Sequence, residues 1–140
     1  MEGETAQKEI RMFKLNDLIL IDDRVCKILE INRSKPGKHG EAKARIVASE
    51  IFGSTEAKRN IVKPVKHKEK HPIIQRRQGT VCGADPERKL LEVIDMETYE
   101  TVNVEYDPET IKIGGETTQL LTFLEWGSFR KALAIRSANE

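Results

Sequence analysis

Residues 24–52 read RVCKILEIN, RSKPGKHGE and AKARIVASEIF in three consecutive pieces (24–32, 33–41 and 42–52). The two outer pieces are rich in β-branched and apolar residues, and the third alternates small apolar residues with basic ones, as a half-buried strand does. The middle piece holds a proline and two glycines and contains no leucine, isoleucine, valine or aromatic residue. This pattern predicts a protruding β-hairpin with Lys38 at its tip.

Strands are also predicted on both sides of this hairpin. Leu18–Ile21 is a short apolar run, and Asp22-Asp23 has the composition of a tight turn. A short strand at 59–63 ends at Pro64. In the second half, five strands at short, regular spacing favour a small closed barrel of the oligonucleotide-binding kind. They are predicted at 73–82, 90–95, 101–106, 119–126 and 129–135.

The chain is predicted to form two small all-β domains. Residues 1–14 are polar and charged and are expected to form a flexible extension. A first domain is expected over 15–71 and a second over 72–140. The boundary is placed at the charged stretch Val65–His71 and the proline after it, because the sign of the charge changes there.

Charge is distributed unevenly along the chain, although the formal net charge is only +1. Residues 1–72 hold 16 Lys and Arg against 11 Asp and Glu, whereas residues 73–140 hold 8 against 12. From Arg33 to Lys70 there are 11 basic and 4 acidic residues. Such a local basic field attracts polyanions, so the first domain is the candidate nucleic-acid-binding domain.

Several classes of protein are disfavoured by the sequence. No apolar run exceeds four residues, which is far short of a membrane span, and the first residues lack the features of a secretion signal. We therefore expect a soluble, cytoplasmic protein without membrane partners. Cys26 and Cys82 are expected to be buried as reduced, small apolar residues rather than paired.

The predicted hairpin tip does not match the phosphate-binding loop of nucleotide-binding proteins. No glycine stands five residues before Gly37, and neither serine nor threonine follows Lys38. Judged by its residues alone, the loop fits an ordinary exposed turn carrying a lysine. The long, flexible lysine side chain would be accessible there to a modifying enzyme.

The segment Ser34–Ala48 resembles the hypusine loop of the translation initiation factor 5A family. Pro36 makes it similar to the archaeal branch, since the eukaryotic form usually has threonine there. The resemblance covers about residues 13–136. Further matching segments follow in the family's order: 18–22, 26–31, 51–52, 61–64, 72–74 and 95–101.

The resemblance implies a fold, a modification and a set of partners. The fold is an N-terminal SH3-like barrel followed by a C-terminal five-stranded oligonucleotide-binding barrel. Deoxyhypusine synthase would attach an aminobutyl group from spermidine to Lys38, and archaeal members often remain at this deoxyhypusine stage. No other cofactor is implied. The loop residues that support the modification are Lys35, Pro36, Gly37, His39 and Gly40.

The function implied is that of a non-enzymatic translation factor. Such a factor binds ribosomal RNA beside peptidyl-tRNA and uses the modified Lys38 to promote peptide-bond formation at stalling sequences such as proline runs, and termination. Basic residues around the loop would hold the RNA backbone without reading its sequence. The candidate RNA-binding residues are Arg33, Lys35, Lys43, Arg45, Lys58 and Arg59.

Other functions remain open at this stage. The main alternative is a general RNA-binding protein without lysine modification. An RNA-cleaving enzyme would need catalytic histidines, but the sequence pairs no nucleophile with a base. His67 and His71 lack a third metal ligand, so no metal site is predicted. The carboxylate pairs Asp95 with Glu97 and Asp107 with Glu109 fall in predicted turns and are expected to be solvated.

Overall fold

The computed structural model describes residues 2–34, 42–53, 57–115 and 118–138. These ranges are mostly β-strand, and their one helical element is a single 3-10 turn. None of this part of the chain forms a helix with the length and apolar character needed to cross a membrane. The chain divides into two compact units, residues 4–73 and residues 1–3 together with 74–140. They are called the N-terminal and C-terminal units below.

Eleven strands are present in the described residues. The N-terminal unit contains six of them: β1 (Thr5–Glu9), β2 (Leu18–Ile21), β3 (Arg24–Arg33), β4 (Lys43–Glu50), β5 (Lys58–Pro64) and β6 (Lys68–Pro72), with the 3-10 turn at Ile10–Met12. The C-terminal unit contains β7 (Gln75–Asp85), β8 (Leu90–Asp95), β9 (Thr101–Glu105), β10 (Gln119–Trp126) and β11 (Phe129–Ser137).

The N-terminal unit is built from an antiparallel sheet and a two-stranded ribbon. The sheet has the order β2-β3-β4-β5, and the ribbon pairs β1 with β6. Alternate residues of the sheet point inward, which is why Ile28 and Ile46 lose all solvent exposure. The core of this unit consists of Ile10, Phe13, Ile19, Ile21, Cys26, Ile28, Ala44, Ile46 and Ala48.

The β2–β3 connection is a two-residue hairpin, as its composition predicted. Ile21 pairs with Arg24, and Asp22 and Asp23 between them have φ values of 52° and 61°. Two successive positive φ values are those of a type I′ turn, whose twist matches that of the flanking strands and which tolerates aspartate. The turn fixes the register in which β3 enters the sheet.

The C-terminal unit is a closed five-stranded barrel with the order β10-β11-β9-β8-β7. β11 runs parallel to β9, and the other pairings are antiparallel. Five short strands in this closed arrangement form an oligonucleotide-binding barrel. The predicted fold class, all-β with an SH3-like N-terminal part and a five-stranded second barrel, is confirmed.

The first fourteen residues differ from the flexible extension that their composition predicted. Residues 5–9 form β1, which pairs in register with residues 68–72 of β6, and Ile10 and Phe13 are fully buried. Both strands are formed by charged stretches without alternating apolar residues. Neither stretch is therefore predicted to be a strand from its own sequence. The pairing makes Val65–His71 part of the N-terminal unit, whose last residue is Ile73.

The two cysteines have different environments, whereas the sequence predicted that both are buried. Cys26 is fully buried in the core, but Cys82 is exposed on β7. Burial raises the pKa of the Cys26 thiol to about 11, and the nearby Glu50 carboxylate adds to this rise. A higher pKa leaves less of the reactive thiolate at neutral pH.

We therefore expect only one of the two thiols to react in the folded protein. A disulfide exchange reagent at mildly alkaline pH should modify Cys82 quickly and Cys26 only after unfolding in denaturant. The Cys82→Ser variant is the control, and it should show no fast-reacting thiol while folded. A native Cys82→Ser protein that reacts at the rate of a free thiol would show that Cys26 is accessible.

Candidate functional site

The stem of the predicted lysine hairpin is formed by β3 and β4. Arg33 pairs with Ala44 at the end of the ladder. Beyond it, the Ser34 amide donates to the Lys43 carbonyl over 2.8 Å, and the Lys43 amide donates to Ser34 Oγ over 3.1 Å. The predicted modification site Lys38, with Lys35, Pro36, Gly37, His39 and Gly40, lies outside the described residues. The stem is therefore closed by hydrogen bonds at both ends of the segment that carries Lys38.

Three of the predicted RNA-binding residues share the outer face of the sheet. Lys43 and Arg45 alternate with buried Ala44 and Ile46 on β4, so both point away from the core. Lys58 on β5 pairs with Ser49, which is four residues after Arg45 on β4 and therefore points to the same side. Lys58 is also exposed. Together with Lys27, described next, these residues form what we call the basic face.

Lys27 is a fourth member of the basic face that the sequence analysis missed. It pairs with Ser49 from the β3 side, opposite Lys58, and is exposed. It precedes the predominantly basic stretch from Arg33 to Lys70, and only the strand register brings it beside Lys58. Across two strand spacings the two backbones are about 10 Å apart.

The basic face carries more positive than negative charge. Its four cations are Lys27, Lys43, Arg45 and Lys58, and none makes an ion pair with any residue in the described ranges. Glu30, which pairs with Val47, is the carboxylate on this side of the β3–β4 pair. Unpaired, exposed amines and guanidinium groups on one face are suited to contacts with nucleic-acid phosphates.

Arg33 lies on the opposite side of the sheet from this basic face. It pairs with buried Ala44, and its Nη2 donates to the carbonyls of Arg11 (3.3 Å) and Phe13 (3.1 Å). The guanidinium therefore ties the hairpin stem to the 3-10 turn and to the residue that follows it. The sequence grouped Arg33 with the RNA-binding residues, and that assignment stays a prediction. The structure shows that its Nη2 is already hydrogen-bonded within the N-terminal unit.

Replacing Arg33 with glutamine is expected to loosen the stem without weakening RNA contacts. Affinity for RNA falls as salt rises, and we call the steepness of the fall of log K with log salt the salt slope. Each lost phosphate contact reduces this steepness by about 0.7 for single-stranded RNA. We expect Arg33→Gln to leave that slope unchanged and to lower the melting temperature. Fluorescence anisotropy with a labelled RNA over a series of KCl concentrations measures the slope, and circular dichroism measures melting.

Arg45→Gln is the matched control for this comparison, since it removes the same charge from the outer face of the same hairpin. It should lower the salt slope and leave the melting temperature nearly unchanged. An equal fall in slope for both variants would show that Arg33 contacts RNA directly.

Arg59, another predicted RNA-binding residue, belongs to an ion-pair cluster within the unit. Its Nη1 lies 2.8 Å from Asp22 Oδ2, and its Nη2 lies 3.7 Å from Glu50 Oε1. Arg24 approaches the same Glu50 oxygen at 3.6 Å, and only 8% of the Glu50 side chain is exposed. Arg59 therefore compensates a mostly buried carboxylate and the turn carboxylate, which leaves less of its charge for an external partner.

The two histidines in the described residues contact different partners. His67 precedes β6, and its Nε2 lies 3.0 Å from Glu69 Oε1. His71 lies on β6, and its ring meets that of Phe13 edge-on, with 6.3 Å between centroids. The segment is extended rather than helical, so residues four apart are about 13 Å apart along the strand. His39, the third histidine, lies outside the described residues.

The barrel of the C-terminal unit carries no basic or aromatic residue on the outer face of β8 and β9, the strands that bind oligonucleotides in many barrels of this type. The outward residues are Leu90, Glu92 and Ile94 on β8 and Thr101, Asn103 and Glu105 on β9. Stacking platforms and cations are the usual requirements for binding single strands. This face therefore does not resemble a nucleic-acid site.

One end of that barrel holds a cluster of charged residues around Arg77. Its Nε lies 2.8 Å from Glu125 Oε1, and its Nη1 lies 3.1 Å from Glu97 and 3.6 Å from Asp95. Arg130 Nε contacts the second Glu125 oxygen at 2.7 Å. The hydrogen bond to Glu125 is the main cause of a raised Arg77 pKa, so the guanidinium stays charged.

Asp95 differs from the solvated turn residue that the sequence predicted. It is 2% exposed, and its Oδ1 accepts hydrogen bonds from the amides of Glu97 (2.8 Å) and Thr98 (3.2 Å). Asp107 has the same local turn chemistry, with its Oδ1 accepting from the Glu109 amide, but is exposed as expected. The Asp95 carboxylate thus organises the turn after β8 rather than serving as a surface charge.

The comparisons with known proteins agree on one family. A family model described as "Translation initiation factor 5A-like, N-terminal" matches residues 3–67. The translation initiation factor 5A of Thermoplasma acidophilum is 48% identical over 103 residues, which are 74% of this chain and 77% of that protein. That of Methanopyrus kandleri is 37% identical over 138 residues, which are 97% and 98% of the two chains.

A solved structure shows the same similarity over nearly the whole chain. The eukaryotic translation initiation factor 5A from Methanococcus jannaschii superposes with a TM-score of 0.79 and 31% sequence identity. The match covers 94% of this chain and 95% of that one, so it includes both the N-terminal sheet and the C-terminal barrel.

Proposed function

Because the chain belongs to the translation initiation factor 5A family, and is thus a translation factor, we propose that it binds the ribosome beside peptidyl-tRNA through a modified Lys38. In this proposal Lys38 carries a deoxyhypusine or hypusine side chain. The modified residue promotes peptide-bond formation at stalling sequences such as proline runs, and also termination. The protein acts without catalytic residues of its own and works in the cytoplasm.

The observation that carries the proposal is the closed hairpin stem beside a basic face. The hydrogen bonds between Ser34 and Lys43 close the stem next to the segment that contains Lys38. Lys43 and Arg45 stand on the outer face of that same stem, without ion-pair partners among the described residues. RNA phosphates bound there would orient the stem, and with it the lysine segment, toward the RNA.

The chemistry of the modification supports this role. In the reaction of deoxyhypusine synthase, a new C–N bond would join the aminobutyl group of spermidine to the Lys38 Nζ, while the C–N bond within spermidine breaks and 1,3-diaminopropane leaves. The side chain becomes longer and carries a second amine, so its cationic donors reach phosphates and sugars that a plain lysine does not. Charge-assisted hydrogen bonds of this kind are stronger than neutral ones.

The partners proposed are ribosomal RNA, peptidyl-tRNA and the modifying enzyme. Lys27, Lys43, Arg45 and Lys58 would contact the RNA backbone, which positions the factor without reading bases. Lys35 is proposed as a further contact from the loop. Arg33 and Arg59 are proposed to act from within the unit, because their guanidinium groups are hydrogen-bonded or ion-paired there.

Peptide mass spectrometry of the protein isolated from its native cells tests the proposal directly. We expect the peptide that contains Lys38 to carry an added aminobutyl group, with one further oxygen where a hydroxylase is present. The peptides containing Lys43 and Lys58 serve as internal controls and should be unmodified. An unmodified Lys38 throughout would contradict the proposal and favour general RNA binding by the basic face.

A further inference from the structure

The turn before β6 and the strand itself expose a row of three lysines. Lys68 and Lys70 are exposed, and they alternate with the half-buried Glu69 and His71, so the two lysines share the outer face of the ribbon. Lys66 is exposed in the turn that leads into the strand. We call Lys66, Lys68 and Lys70 the ribbon lysines.

The acidic residues of this region are already engaged with other side chains. Glu69 contacts His67, Asp17 contacts Lys8 at 3.1 Å, and Glu9 contacts Arg11. None of the three ribbon lysines has a carboxylate within ion-pair distance in the described part of the chain. The acids of this region therefore have other partners, and the ammonium groups of the three ribbon lysines face outward without an ion pair in the described residues.

We propose that the ribbon lysines form a second RNA-binding surface that contacts phosphates. Neighbouring side chains on one face of a strand are about 7 Å apart, a spacing at which consecutive amines can follow a nucleic-acid backbone. This surface lies on β6 and the turn before it, whereas the basic face lies on β3, β4 and β5. The proposal rests on the proposed function in taking RNA as the partner, but it does not require the modification of Lys38.

The composition of the surface favours RNA over an acidic protein. The residues paired across the ribbon from Lys70 and Lys68 are Gln7 and Glu9, so the face contains no apolar side chain. Specific protein interfaces bury an apolar core, whereas interfaces with nucleic acid are polar and positively charged. Lysines that meet only phosphates bind without preference for base sequence.

The test is to replace all three ribbon lysines with glutamine in the full-length, unmodified protein. Binding to a fluorescein-labelled uridine oligonucleotide is followed by anisotropy at several KCl concentrations. Because each contact contributes about −0.7 on single strands, the slope of log K against log salt should become shallower by about 2, with an affinity loss of roughly tenfold or more near 0.1 M salt. An adenosine oligonucleotide should give the same change.

The control variant removes three exposed cations from the C-terminal unit, as Arg76→Gln, Arg88→Gln and Lys112→Gln. It changes the net charge equally and should leave the slope unchanged. An equal loss in the control, an unchanged slope in the ribbon variant, or tighter binding to a polyglutamate peptide than to RNA would each overturn the proposal. A Lys38→Arg protein should keep the ribbon's contribution, so failure of this surface and failure of the modified-lysine function are separable.

Discussion

Replacing Lys38 with arginine is expected to abolish the activity of the factor while leaving its fold intact. Arginine keeps the positive charge, but it lacks the primary amine to which an aminobutyl group is attached. The arginine side chain would therefore not be extended and would gain no second amine. The measurement is peptide synthesis through a proline run in a reconstituted translation system, with melting followed by circular dichroism.

Lys43→Arg is the matched control, because it makes the same exchange on the stem of the same hairpin. It should be as active as the unchanged protein, since either cation can neutralise a backbone phosphate. A Lys38→Arg protein that still relieves stalling at proline runs would rule out a modified Lys38 as the working group. Loss of melting cooperativity in that variant would instead indicate that Lys38 matters for folding.

Replacing Asp95 with alanine is expected to be among the most destabilising single changes in the C-terminal unit. The substitution leaves the amides of Glu97 and Thr98 without their acceptor and removes a buried negative charge beside Arg77. Unsatisfied buried donors and broken buried ion pairs together suggest a loss of roughly 3 kcal/mol in the free energy of unfolding. Urea unfolding monitored by the fluorescence of buried Trp126 measures this loss.

Asp107→Ala is the control for that change, because Asp107 makes a similar turn hydrogen bond at an exposed position. Water replaces the lost acceptor there, so we expect a loss below about 1 kcal/mol. Similar losses for the two variants would show that the burial of Asp95 contributes little and that local turn chemistry dominates. Asp95→Asn should fall between them, since its side-chain oxygen can still accept both amides.

The sequence predicted those parts of the fold whose signals are local. The five strands of the barrel, the Asp22-Asp23 turn and the β3–β4 hairpin each combine alternating apolar residues with turn residues. The β1–β6 ribbon has no such signal, because both strands are polar and their pairing joins residues 59 to 67 positions apart. The pairing with β6 and the burial of Ile10 and Phe13 together hold the N-terminal segment in place.

The predictions about the candidate site divide along similar lines. Exposure of Lys43 and Arg45 follows from strand alternation, and the sequence was sufficient for it. Lys58 lay just before the predicted strand at 59–63, so its place on the same face became evident only from the pairing of β5 with β4. The roles of Arg33 and Arg59 depend on partners distant in sequence, the carbonyls near the 3-10 turn and the Asp22 and Glu50 carboxylates. Burial of Asp95 likewise depends on the closure of the barrel, which no local pattern reveals.

The β1–β6 pairing has a consequence for the order in which the chain folds during its own synthesis. Thr5 pairs with Pro72, so the ribbon cannot form until the whole first half has left the ribosomal tunnel. Long-range pairings of this kind close late, because the entropy of a long loop must be overcome first. The β2–β3 and β3–β4 hairpins require only neighbouring residues. We therefore expect the lysine hairpin to be in place first, with the ribbon closing the N-terminal unit afterwards.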